Sequence, residues 1–362
     1  MSNTVPAPAA LVEAVDAALA ASAPRLEQLR ALGPYFRPGI RVALSTHINA
    51  DGDGCGSEVG LARALAAMGL TPVIVNPTPW PDSFRFLLGR AGDGPGDAAV
   101  EEASAKGAAA LRGVDLLVVL DIADVKRLGT LADAVRALKV PKLTIDHHLP
   151  SDEPPSQVVV SDVLASATGE LVFDLLAALD RPLTPAIATA LYVAILTDTG
   201  GFRFSNTSPR CHAVAAELLA AGVDPEAMYR RIYASQPVGK LYLLRDALGT
   251  LETDAAHGLA WISIPAGALE RYGVKSEDLD GIVEQPRSIA GTRCAMLFRD
   301  LGHGKVKVSF RSTGDVDVNA LARPFGGGGH AKASGAMIAG GLEEVRARVV
   351  EAARAHVGAT AG

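Results

Sequence analysis

The sequence predicts an α/β protein of two domains, the first with a mostly parallel sheet flanked by helices and the second a smaller α/β unit. Three observations predict it. Short runs rich in Val, Ile and Leu alternate with helical patterns through the first part of the chain, the signature of parallel strands joined by crossover helices. With 362 residues, 49% of them hydrophobic, the chain can fill two separate cores. Beyond about Leu251 the pattern changes: Leu259 to Ile264, Arg293 to Phe298 and Lys305 to Arg311 read as strands with helices between them.

In chain order, Ala7 to Leu32 reads as an amphipathic helical lead-in, ended by Gly33-Pro34. Arg41-Val-Ala-Leu-Ser45 reads as a buried strand running into His47-Ile-Asn-Ala-Asp51-Gly-Asp53-Gly-Cys55-Gly-Ser57. A helix from Glu58 to Met68 follows, stopped by Gly69, and then a strand from Thr71 to Val75. Gly92 to Gly107 is Gly/Ala-rich and reads partly as loop. Val114 to Leu120 is a strand ending on Asp121, and Pro141 to Ile145 is another ending on Asp146-His147-His148. A helix through Leu179 starts after Ser166-Ala-Thr168-Gly, with Thr168 as N-cap and Glu170 placed to suit the helix dipole. The helix Pro185 to Leu196 delivers Asp198-Thr-Gly-Gly-Phe-Arg-Phe204, and two or three helices run on to Leu251. The last segment opens on Arg323-Pro-Phe-Gly-Gly-Gly-Gly-His330 and closes with an Ala-rich helix from about Leu342. This divides the chain into a lead-in (1–33), a first domain (34–235), a linker helix (236–252) and a second domain (253–362).

Composition narrows the function. A formal net charge of −6 argues against a broad basic groove for long nucleic acid, yet leaves room for a short nucleotide held at a metal centre. Aromatic residues are 5%, too few for a ladder that stacks successive bases. Cys55, Cys211 and Cys294 are far apart and make no CxxC pair, which gives no zinc-ribbon signal and fits a reducing cytoplasm. No targeting segment is visible, and Val114 to Leu120, the most apolar run, is too short to span a bilayer. His212, His257, His303 and His356 lie outside any motif and read as surface or packing residues.

In an open parallel sheet, ligands bind beyond the carboxyl ends of the strands. His47, Asp51 and Asp53 follow one predicted strand, Asp121 another, Asp146, His147 and His148 a further one, and Asp198 ends an apolar helix. Four aspartate-bearing segments meeting at one edge repel each other unless cations lie between them. Carboxylates with imidazoles and no thiolate suit Mn²⁺ first, then Mg²⁺, ahead of zinc. Two ions about 3.5–4 Å apart are the recurring arrangement for phosphoryl hydrolysis. Gly52 and Gly54 are expected to let the backbone turn tightly and aim two carboxylates. Each segment alone is an ordinary turn, cap or loop aspartate; together they read as a two-metal phosphoesterase site. Independently, Gly326, Gly327, Gly328 and Gly329 let backbone N–H groups approach an anion, with His330 as a further donor. Arg311, ending a strand ahead of that run, reads as a phosphate contact; Arg287 reads as either a phosphate contact or a solvated surface arginine.

These motifs, from about Ile40 to Ile338, resemble the DHH phosphoesterase superfamily, and within it the bacterial nanoRNase group with a DHHA1 second domain. The resemblance implies that His47, Asp51 and Asp121 hold one ion. It implies that Asp53, Asp121, His147 and Asp198 hold a second, with Asp121 bridging. His148 is then the residue that faces substrate and Asp146 the one that orients a histidine, both catalytic in that sense with Asp121. The first motif carries Ala50 where many relatives have proline, a change that touches no ligand. Implied cofactors are two divalent cations, Mn²⁺ before Mg²⁺ or Co²⁺. Implied substrates are RNA or DNA oligonucleotides of a few residues, dinucleotides such as pApA, and 3′-phosphoadenosine-5′-phosphate (pAp), gripped at the far end by the second domain. A homodimer is left open, and no membrane partner is expected.

The competing enzyme readings are a cyclic-dinucleotide phosphodiesterase, a RecJ-like single-strand exonuclease and a family II pyrophosphatase. The last has a different second domain that would not supply the Gly326-to-His330 segment. From another class comes a nucleotide-binding sensor that kept the fold; such a protein commonly loses a carboxylate ligand, and this sequence retains the set.

Overall fold

The computed structural model describes residues 17–89, 99–279, 281–329 and 331–359. The start of the expected lead-in helix (7–16), part of the Gly/Ala-rich stretch (92–98) and His330 lie outside the described residues. The chain divides into two units, Met1–Ala234 and Ser235–Gly362.

The first unit runs α1 (Ala23–Arg30), β1 (Arg41–Ser45), α2 (Gly52–Ala67), β2 (Thr71–Ile74), β3 (Glu101–Glu102), β4 (Leu116–Leu120), α3 (Ala132–Ala137), β5 (Lys142–Asp146), β6 (Val158–Ser161), α4 (Thr168–Ala178), α5 (Pro185–Asp198), α6 (Pro209–Ala220) and α7 (Pro225–Tyr233). Its sheet has the order β3-β2-β1-β4-β5-β6. Every pairing in it is parallel. Strand alternation sorts the layers. Val42, Leu44, Leu116, Val118, Leu120, Leu143 and Ile145 face a core shared with α1, α2, α4, α5 and α6. Ala43, Val73, Val75, Leu117 and Val119 face the opposite core, with Leu128, Leu131 and Val135 of α3 and the turn before it. The chain steps outward from β1 to β3, then returns to the other side of β1 as β4. That reversal is the topological switch point, where open α/β sheets place their ligands.

The second unit contains α8 (Val238–Leu248), β7 (Glu252–Asp254), β8 (Leu259–Ile264), α9 (Ala268–Tyr272), α10 (Glu284–Arg287), β9 (Cys294–Asp300), β10 (Lys305–Ser312), α11 (Val318–Ala322), β11 (Gly328–Gly329), β12 (Ala333–Ala339) and α12 (Leu342–Ala359). Its sheet, β11-β12-β10-β9-β8-β7, is antiparallel except for the β8–β9 pair. Val345, Val349, Val350, Ala353 and Val357 of α12 cover one face. Leu243 and Ala247 of α8 pack with Ile262, Ile264 and Leu297 on the other.

Several sequence expectations need correction. The helix expected from Glu58 begins at Gly52, because the Asp51 carboxylate accepts the N–H groups of Asp53 and Gly54 and caps it there. Gly52 and Gly54 therefore sit inside the first turn of a helix, not in a tight turn. Their lack of a side chain serves packing: a Cβ would lie 2.3 Å from Thr197 Oγ1 at Gly52 and 2.6 Å from Thr46 Oγ1 at Gly54. Within the described residues the lead-in is helical at 17–19, breaks, and restarts as the short α1 at the Ser22 cap with a proline in its first turn. The expected linker helix packs inside the second unit as α8. Strands β3, β6, β7, β11 and β12 carried no sequence prediction; β3, β7 and β11 are too short to show a period. Among the described residues, no helix is long and apolar enough to cross a membrane.

Candidate metal centre

The site sits at the carboxyl edge of the first sheet, and local structure aims each group. β1 ends at Ser45, and His47 follows it buried. His47 Nδ1 donates to the carbonyl of Ile48 at 2.9 Å, which turns Nε2 towards the carboxylates of the centre. That Nε2 is buried without a hydrogen-bond partner, 3.3 Å from Asp121 Oδ2 and 3.6 Å from Asp51 Oδ2. Asp121, first beyond β4, has φ +62°, a left-handed conformation uncommon for a residue other than glycine. Its N–H stays in the ladder, donating to Ile145.

Asp53 lies in the first turn of α2, buried. Oδ2 accepts the Thr168 N–H at 2.7 Å, and Oδ1 accepts the Gly169 N–H at 2.9 Å and the Ser57 hydroxyl at 3.1 Å. The N-terminus of α4 thus holds a carboxylate from a distant segment. Thr168 is accordingly not the cap of α4: its hydroxyl donates to Asp121 Oδ1 at 3.2 Å instead. Asp198 is the last residue of α5. The helix stops there because Gly200, at φ +58°, turns left-handed while Gly201 N–H returns to Leu196 and Gly200 N–H to Thr197.

His147 Nδ1 lies 3.3 Å from the Ala165 carbonyl. Its Nε2 is 3.6 Å from each of Asp53 Oδ2, Asp121 Oδ1 and Asp198 Oδ2. His148 is oriented differently: Nδ1 donates to Asp146 Oδ1 at 2.7 Å and lies 3.6 Å from Asp121. Asp146 ends β5 and is buried.

Three groups of donors converge within 4.8 Å: His47, Asp51 and Asp121; Asp53, His147 and Asp198; and Asp121, His147 and His148. The distances test the fit of a metal. Separations of 3.3–3.6 Å are too long for strong hydrogen bonds. Two donors each about 2.0–2.2 Å from one ion at roughly 90–110° are themselves about 3.0–3.6 Å apart, so the spacing matches a shared ion. Electrostatics agrees. Burial first, then the charges of Asp121, Asp198 and Asp51, pushes the Asp53 carboxyl well above its usual range. Burial also lifts Asp198 to about 6, against the pull of His147. Burial works against charge on His47, yet the Asp121 and Asp51 contacts outweigh it and raise the ring to about 10. Carboxylates this crowded are relieved by cations.

Sequence reasoning missed the supports. Asn206 Nδ2 donates to the Asp198 carboxylate at 3.2 Å and to the Ser166 carbonyl at 2.8 Å. Buried Glu58 accepts from Asn76 Nδ2 at 2.9 Å, and Asn76 Oδ1 accepts the Thr46 N–H at 3.0 Å, next to His47. Burial lifts Glu58 to about 8, against the Asn76 hydrogen bond. No local spacing signals these contacts. In the second unit, Arg287 and Arg311 both reach Glu284, the latter at 3.4 Å, so the trio keeps one net positive charge. Gly326 has φ +72°, and Gly328 and Gly329 pair with β12 and stay exposed.

The family comparisons agree with this geometry. A family model described as the N-terminal domain of the DHH family matches residues 41–195, and a DHHA1 domain model matches residues 263–359. A bifunctional oligoribonuclease and PAP phosphatase of Thermus thermophilus is 34% identical over 316 residues, covering 86% of this chain and 89% of that protein. This chain belongs to the DHH family. Among solved structures, an exopolyphosphatase-related protein from Bacteroides fragilis superposes with a TM-score of 0.82 at 27% identity, covering 91% of this chain and 95% of that one. RecJ of Thermus thermophilus in complex with Mn²⁺ shares the fold at a TM-score of 0.51 and 17% identity, covering 94% of this chain and 55% of that one.

Proposed function

We propose that this DHH-family protein hydrolyses phosphate esters of short nucleotides: oligoribonucleotides of a few residues, dinucleotides such as pApA, and pAp. The observation that carries this reading is the convergence of two donor groups, one on His47 and Asp51 and one on Asp53, His147 and Asp198, with Asp121 beside both. In the proposed assignment His47, Asp51 and Asp121 hold one divalent cation, and Asp53, Asp121, His147 and Asp198 hold a second. Mn²⁺ is preferred because imidazoles join the carboxylates. When bound, such ions supply a water of lowered pKa and positive charge for the developing phosphorane.

The chain's own residues do the rest. Asp146 fixes the His148 ring, so that His148 meets the substrate phosphate or protonates the leaving oxygen. Thr168, Gly169 and Ser57 hold the Asp53 carboxylate still. In the second unit, Arg311, with Arg287 beside the same Glu284, and the Gly326-to-His330 segment are the proposed grip on the substrate's far end. The substrate class is supported by the name of the Thermus thermophilus relative. A cytoplasmic site of action fits three free, buried cysteines.

The test is a substrate panel with Mn²⁺: pAp, pApA, RNA and DNA of increasing length, cyclic di-AMP and pyrophosphate. The expected outcome is turnover of pAp and of the shortest oligomers, falling with length. Turnover that persists on long single strands favours a RecJ-like exonuclease, and preference for cyclic di-AMP favours the cyclic-dinucleotide reading. Asp121→Ala should abolish turnover, because both donor groups lose a member; near-normal activity in that variant sinks the two-metal assignment.

A further inference from the structure

Arg127 follows Asp121 closely, in the turn Val125–Leu131 beyond β4. That turn is held firmly. Its cap Asp124 accepts the Lys126 N–H at 2.8 Å, the Val125 N–H donates to Glu153 at 2.9 Å, and Val125 and Leu128 are buried. The Arg127 carbonyl accepts the Ile48 N–H at 2.9 Å, so the residue is fixed beside the loop that carries His47 and Asp51. The guanidinium is half-buried, and among the described residues it has no hydrogen-bond or ion-pair partner. This contrasts with Arg25 and Arg210 in the same unit, which are both bound to carboxylates.

The backbone of Arg127 is tied to the loop between His47 and Asp51, on the open side of the centre. Asp51 and His148 have side chains 57% and 25% exposed, whereas Asp53 and Asp121 are nearly sealed. An arginine without a side-chain partner is therefore anchored beside the more exposed ligands of the centre, the side from which an anion would enter.

The charge balance says what that anion is. Two divalent cations offset the four carboxylates Asp51, Asp53, Asp121 and Asp198, leaving the substrate's own phosphate charge to be met by other groups. A guanidinium with free N–H donors suits phosphate oxygens. Resting on the phosphoesterase reading above, we infer that Arg127 binds a non-bridging oxygen of the phosphate group that is hydrolysed, alongside His148. It is a substrate contact supplied by the first unit, separate from the arginines of the second.

The experiment titrates inorganic phosphate into the Mn²⁺-loaded full-length protein by calorimetry and measures kcat/KM on pAp and pApA, for wild type, Arg127→Ala, Arg127→Gln and Arg127→Lys. Removing the charge should weaken phosphate binding and lower kcat/KM about ten- to hundredfold, the size of a lost charge-assisted hydrogen bond. Mn²⁺ stoichiometry and thermal midpoint should stay at wild-type values, and Arg127→Lys should recover part of the loss as a point charge. Unchanged phosphate affinity in Arg127→Ala and Arg127→Gln overturns the inference, as does loss of Mn²⁺ in parallel with phosphate. If wild type turns over neither nucleotide, the phosphoesterase reading fails, while the phosphate titration still decides the role of Arg127.

Discussion

At Gly56 a Cβ would stand 2.3 Å from the Ala190 carbonyl oxygen and 2.9 Å from the Ala194 nitrogen, both backbone atoms of α5. Two effects oppose each other in Gly56→Ala. Helix propensity favours alanine by up to about 1 kcal/mol. Overpacking costs about 1–3 kcal/mol, and here the obstacle is backbone, which no rotamer change relieves. The clash wins, and urea unfolding should show a loss of about 2 kcal/mol; a neutral result would mean that α2 and α5 separate at little cost. Glu58 makes a pH-dependent prediction. Its folded pKa of about 8 lies above the usual carboxyl value, so the folded state prefers the protonated form. The stability it contributes is whole below the unfolded pKa and is lost as pH rises towards 8. Glu58→Gln keeps an acceptor for Asn76 and should flatten the fall in stability between roughly pH 5 and 8, where one such group contributes a slope of up to about 1.4 kcal/mol per pH unit. Denaturant melts across that range check it, and an unaltered slope would remove Glu58 as its source. Neither role is legible locally: Gly56 reads as one more glycine of a motif, and Glu58 as a surface position of a helix.

Among the elements, α1 and α4 show how the centre is braced. Arg25 of α1 is buried and binds Asp162, Glu170 and Asp174 at 2.7–2.9 Å. Arg210 of α6 reaches Glu170 and Asp174 as well. Glu170 also accepts the Ser166 N–H and hydroxyl, fixing the turn from which α4 presents Thr168 and Gly169 to Asp53. Removing one partner from a buried ion cluster leaves uncompensated charge and costs about 3–5 kcal/mol. Arg25→Met should therefore destabilise the protein by about that amount in urea unfolding, well beyond the effect of an exposed arginine. A change below about 1 kcal/mol would show that Arg210 alone satisfies the buried carboxylates Glu170 and Asp174. The sequence signals α4 through its apolar period and α5 through its uninterrupted apolar run. It does not signal what occupies the N-terminus of α4, because Asp53 and Thr168 are 115 residues apart and no spacing rule links them.

Across the whole molecule, each unit has its own cores. The candidate metal ligands all lie in the first unit. Ligands that bind only the folded state stabilise it by mass action, about 2.7 kcal/mol at a hundredfold excess over the dissociation constant. Scanning calorimetry should then resolve two transitions, with Mn²⁺ raising one and EDTA lowering the same one, while the other stays put. Equal shifts of both would show that the units melt as one. The sequence by itself determined the α/β class, the strands β1, β2, β4, β5, β8, β9 and β10, and the carboxylates and imidazoles of the centre. Those signals are local: apolar period, glycine stops and short motifs at strand ends. Only the tertiary structure decided that Gly52 and Gly54 serve helix packing, that Asp53 is held by α4, that Arg311 shares Glu284 with Arg287, and that Arg127 is anchored against the His47–Asp51 loop with its charge unpaired. Each of these depends on segments distant in the chain meeting in space, and meeting is a property of the packed fold.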